Sequence, residues 1–118
     1  MQDVALKVLE YIRKNPGASY TEVERVFEEV GFQYKGDYEI YDGEFQNIIF
    51  WTGWNKEAIE LIVDLQQQKL IAKELADPII YLIDGKSLRL PLVEHIKQYS
   101  TPHWLPIGFV ATPQIPGA

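Results

Sequence analysis

Between Asn55 and Gln68 apolar residues recur at a single helical spacing, and this segment constrains the fold more than any other. Ala58, Leu61, Ile62 and Leu65 follow the i, i+3, i+4, i+7 rule, with Ile59 and Val63 widening the stripe; Glu57, Glu60, Asp64 and Gln67 keep the same spacing on the opposite side. Asn55 supplies an N-cap whose side-chain oxygen accepts an otherwise orphaned amide proton. An amphipathic helix of this length draws its stability from packing rather than propensity, so the rest of the chain must supply a core. With 118 residues, 47% of them hydrophobic, it can do so as one domain spanning 1–118.

Two further helices precede this one. Val4, Ala5, Val8, Leu9 and Ile12 mark a helix over 3–14, ended by Asn15-Pro16-Gly17. Ser19-Tyr20-Thr21-Glu22 reads as a capping box opening a second helix, with Val23, Val26, Phe27 and Val30 on its apolar face and Gly31 as its C-cap. Glu22, Glu24, Glu28 and Glu29 are expected on its solvated side.

The stretch 32–54 is β-rich and aromatic. Asp42-Gly43 is a turn signal, and Asn47 to Trp51 reads as a strand preceded by a hairpin. After the third helix, Leu70–Leu75 and Ile79–Ile83 read as strands joined by Ala76-Asp77-Pro78, Leu88-Arg89-Leu90 alternates, and Pro91 opens a short helix over 92–99. Four of the seven prolines fall within 101–118, which predicts an extended arm. The expected core is Val8, Leu9, Ile12, Val26, Phe27, Leu61, Ile62, Leu65, Ile80 and Leu82.

The order helix, helix, strand, helix, strand, strand resembles a winged helix-turn-helix domain over about residues 3–83. Leu61-Ile62-Val63-Asp64-Leu65-Gln66-Gln67-Gln68-Lys69-Leu70-Ile71 is similar to the recognition helix and first wing strand of repressors of the multiple-antibiotic-resistance type. In that family a glycine usually stands where this chain has Lys69, because the backbone turns there from helix to strand; a left-handed lysine costs roughly 1 kcal/mol. The resemblance implies an α+β winged helix, with a β-rich insertion between helices 2 and 3 and a C-terminal extension over 84–118. It also implies a DNA-binding regulator that reads the duplex with helix 3 and the wing, through Lys56, Gln67, Lys73, Lys86 and Arg89.

Charge placement points elsewhere. The net charge is −6, and residues 20–64 hold Arg25, Lys35 and Lys56 against eleven acids, whereas Gln98–Ala118 carries no charged side chain. A groove-reading helix favours Arg, Lys, Asn and Gln, and acids near phosphates forgo counterion release. The acid row Glu57, Glu60, Asp64, together with Trp104 and Phe109 in the arm, therefore suits protein–protein interaction or homo-oligomerisation better than DNA. The arm either packs over its own domain or exchanges with a second copy. The aromatic insertion lacks the cationic groove of a single-strand binder.

No catalytic constellation is legible. His95 and His103 are the sole histidines, and Ser100 near His103 has no signalled acid or oxyanion donors. Asp37, Glu39, Asp42 and Glu44 cluster like calcium ligands, but the loop pattern fails at Tyr41, Asp42 and Ile48. A non-enzymatic protein without cofactor or metal is expected. No apolar run reaches the roughly 18 residues of a membrane span. With no cysteine and no secretory signal, the expected location is cytoplasmic.

Overall fold

The computed structural model describes residues 3–113. Its elements, in chain order, are α1 (Asp3–Lys14), β1 (Ala18–Ser19), α2 (Tyr20–Glu29), β2 (Lys35–Tyr41), β3 (Ile48–Trp54), α3 (Lys56–Gln67), β4 (Ile71–Leu75), α4 (Ile79–Ile83), β5 (His103–Trp104) and β6 (Ile107–Ala111). This is an α+β chain with four helices and two three-stranded sheets, ordered β1-β6-β4 and β2-β3-β5.

The caps read from the sequence are present. Ser19 accepts the Glu22 amide while the Glu22 carboxylate accepts the Ser19 amide, and Asn55 accepts the amide of Ala58. These contacts satisfy amides that the first helical turn leaves without partners. Lys69 has a φ of 60°, so the left-handed turn between α3 and β4 is made without glycine. Its carbonyl accepts the Thr112 hydroxyl, and the Leu70 carbonyl accepts the Thr112 amide at 3.0 Å, which pins the turn to the end of β6.

The C-terminal arm lies on this chain's own sheet. β6 pairs antiparallel with β4 from Ile71↔Ala111 to Leu75↔Ile107, and on its other side with β1 at Ala18↔Phe109 and Ser19↔Gly108. Gly108 permits this approach: a Cβ there would stand 2.6 Å from the Gly17 carbonyl oxygen. β5 runs parallel to β3 at Ile48↔His103 and Ile49↔Trp104.

Tyr20 joins the two sheets through the core. Its ring stacks on Trp51 at 5.9 Å between centroids and meets Trp54 and Phe109 edge-on at 5.4 and 4.9 Å. Tyr81 completes the contact between layers, since its hydroxyl accepts the Tyr20 amide at 3.1 Å and donates to the Ile107 carbonyl at 2.6 Å. Burial without ionic compensation raises both tyrosine pKa values.

Five expectations require correction. Ile79–Ile83 is a helix, not a strand, because the Asp77 carboxylate accepts the Ile79 amide and Pro78 starts the turn. Consequently Leu82 is 62% exposed rather than in the core, and Ile80 is half-buried. Leu88–Leu90 pairs with no strand, and 92–99 forms no helix; there the Tyr99 hydroxyl takes up the Glu94 and His95 amides. Glu24, expected in solvent, is buried at 4% exposure.

Candidate functional site

α3 presents the acid row as expected. Glu57, Glu60 and Asp64 are exposed, and they line a groove of about 820 Å³ whose bottom includes the buried Ala5 and Leu61 and the half-buried Phe32 and Val63. Helical spacing puts the three carboxylates on one edge. Of the three, one meets a cation: Lys56 reaches Glu60 at 3.7 Å with both side chains largely in water, a pair of little energetic weight. Asp64 accepts the Gln68 amide at 2.6 Å. The groove is therefore anionic and mixed in character, its carboxylates joined by Gln67 and Gln68 beside the apolar Phe32 and Val63.

The residues expected to meet DNA do not assemble. Lys73 places its ammonium 3.9 Å from the Phe50 ring centroid, and desolvation there lowers its pKa. Lys86 is drawn onto Glu24, and Arg25 is held by Asp84 at 2.6 Å. Lys56 pairs with Glu60, leaving Gln67 exposed on α3 and Arg89 exposed in the segment after α4. No continuous cationic ridge runs along α3.

Trp104 and Phe109 are 3% and 0% exposed. Both fill this chain's interior, Trp104 against Trp51 and Tyr81, Phe109 against Tyr20, so neither offers a surface to a partner. Exposed apolar side chains include Leu75 on β4 and Ile79, Leu82 and Ile83 on α4, with others on α1, β2 and the 92–96 segment.

The calcium-like cluster has a structural explanation. One carboxylate oxygen of Asp42 accepts the amides of Glu44 and Phe45 at 2.9 and 3.0 Å, closing the β2–β3 turn. Among the described residues no three His, Asp or Glu side chains converge as a metal site. His103 stacks on Tyr99 at 3.8 Å and is hydrogen-bonded through Nδ1 to the Thr101 carbonyl.

Sequence reasoning missed a second constellation, centred on Glu24. Its Oε2 accepts the indole N–H of Trp51 and that of Trp54, each at 2.8 Å, while its Oε1 accepts the Lys86 ammonium. Two tryptophans three apart on a regular strand point to opposite faces. Here the register steps from Glu39↔Thr52 to Tyr38↔Trp54, so Gly53 is an extra residue, with φ of 89°. This bulge re-aims Trp54 to the side of Trp51. Glu24, Trp51 and Lys86 border a cleft of about 430 Å³ that also meets Tyr34, Lys35 and Leu88, while Trp54 lies buried behind it. Tyr34 donates to Glu28 at 3.1 Å, and desolvation with the nearby Glu24 charge raises its pKa. The local signal was faint: Glu24 lies at helical spacing from Tyr20 and Phe27, on the edge of the apolar stripe.

Among the described residues no helix is long and apolar enough to cross a membrane. No protein-family model matches the chain, and no curated protein or solved structure matches it.

Proposed function

We propose that the chain is a non-enzymatic binding module on a winged-helix plan, and that its α3 groove takes a basic segment of a partner protein. Three helices followed by the antiparallel β4–β6 pair support the plan, with residues 76–106 standing where the wing would be. One observation carries the choice of partner: Glu57, Glu60 and Asp64 line one groove that no cationic side chain among the described residues lines, Lys56 meeting Glu60 from outside it. A basic amphipathic helix would set its apolar side on the half-buried Phe32 and Val63 and its cations against the three carboxylates. A second copy of this chain would bring acids against acids and is disfavoured there.

Fluorescence anisotropy tests the reading with three probes: a basic amphipathic peptide, its acidic counterpart, and random duplex DNA at low salt. The basic peptide alone is expected to bind, more weakly as salt rises, and to lose at least tenfold in affinity against Glu57→Lys/Glu60→Lys/Asp64→Lys. Duplex binding with a steep salt slope, unaccompanied by peptide binding, would transfer the module to the DNA-regulator reading.

A further inference from the structure

A carboxylate at 4% exposure must be compensated, and Glu24 is compensated in two unlike ways. Oε2 is held by two indoles belonging to the sheet, neither of which depends on Lys86. Oε1 is covered by an ammonium on a side chain half in water. Lys86 follows α4, its amide bonded to the Tyr81 carbonyl at 3.1 Å, so the ammonium can leave by side-chain rotation with the backbone in place. Its departure would leave an oriented carboxylate facing the cleft of about 430 Å³.

We propose that Glu24 is the base of a binding site for a small zwitterionic amino acid, and that Lys86 occupies the ammonium position in the ligand's absence. The incoming primary ammonium replaces that of Lys86 on Oε1, exchanging one charge-assisted hydrogen bond for another. Displaced Lys86 and Lys35, which also lines the cleft, then leave two cations beside the ligand. A dication would be repelled by them, whereas a molecule with a carboxylate at its other end neutralises them. Tyr34, Trp51 and Leu88 supply apolar contact for the carbons between. This site is separate from the α3 groove and stands on different residues.

The three tryptophans provide the measurement, because Trp51 and Trp54 donate to Glu24 while Trp104 donates to the Phe50 carbonyl at 3.3 Å. Nitrogen–proton correlation spectra of the full chain would be recorded during titration with 6-aminohexanoate, hexanoate and 1,5-diaminopentane at matched ionic strength. The expected result is a saturable shift of the Trp51 and Trp54 indole signals with 6-aminohexanoate, Trp104 staying fixed, and at least tenfold weaker responses to the other two. In Lys86→Met the diamine should gain at least tenfold, since the internal competitor and one repelling cation are gone. No saturable shift, equal movement of all three indoles, or hexanoate or diamine matching 6-aminohexanoate on the unmodified chain would overturn the proposal. The α3 triple-lysine variant should retain the response, which separates this site from the peptide-binding reading.

Discussion

Trp51 and Trp54 donate their indole N–H groups to the same oxygen of one buried carboxylate, each at 2.8 Å. Charge-assisted bonds of this kind are about twice as strong as neutral ones, and their loss leaves both donors buried without partners. Glu24→Ala should therefore lower unfolding free energy by about 2–5 kcal/mol in urea titration, because it leaves two indole N–H groups buried without an acceptor, whereas the half-exposed Lys86 ammonium returns to water. Trp51→Phe removes one donor and retains most of the ring volume, so its loss should be clearly smaller.

Gly53→Ala tests the bulge. A Cβ there meets no atom within 4 Å, so the residue's cost is conformational. At a φ of 89° an L-side chain is strained, and a loss of about 1–2 kcal/mol is expected. Trp54 fluorescence should change with it, as the residue that turns the ring toward Glu24 is the one altered.

Tyr81→Phe removes a hydroxyl that bonds in both directions, to the Tyr20 amide and the Ile107 carbonyl. The expected loss is about 1–3 kcal/mol, since both partners remain buried. The same burial gives a pH dependence. Tyr20 and Tyr81 have pKa values raised above 10.0 in the fold, so the unfolded chain loses these protons first. Stability from this source is complete below pH 10 and falls as pH rises beyond it. Thermal melts between pH 8 and 11.5 should show that decline, and Tyr81→Phe should flatten it.

Thr21 is 4% exposed, and its hydroxyl has no partner among the described residues. Thr21→Val keeps the shape and removes the unmet polar group. Equilibrium unfolding should give a change between neutral and about 1 kcal/mol of added stability.

Truncation after Ser100 should abolish the cooperative transition in circular dichroism. It removes β5 and β6, and with them Trp104, Ile107 and Phe109 from the core. If the shortened chain melts cooperatively, the interior does not depend on the arm.

The helices were legible because their periodicity, caps and breakers agree: Ser19 with Glu22, Asn55, and the left turn at Lys69 all stand where the spacing put them. The run Ile79–Ile83 was not, since five consecutive apolar residues have no period that separates helix from strand. The expectation that Leu82 lies in the core came from that misreading; on the helix it is 62% exposed. The acid row on α3 is a local pattern and could be read directly. The Glu24 cluster joins residues from α2, β3 and the segment after α4, so no window along the chain contains it. Trp104 and Phe109 looked like partner-seeking aromatics because the β-ladder that buries them pairs positions far apart in sequence.

That ladder also dictates when the protein can take shape during its manufacture. β1 emerges from the ribosome before α2, α3 and α4, whereas its neighbour β6 follows all of them. Until then the nascent polypeptide holds Tyr20 without Phe109 and Trp51 without Trp104, a window in which chaperones would find their target.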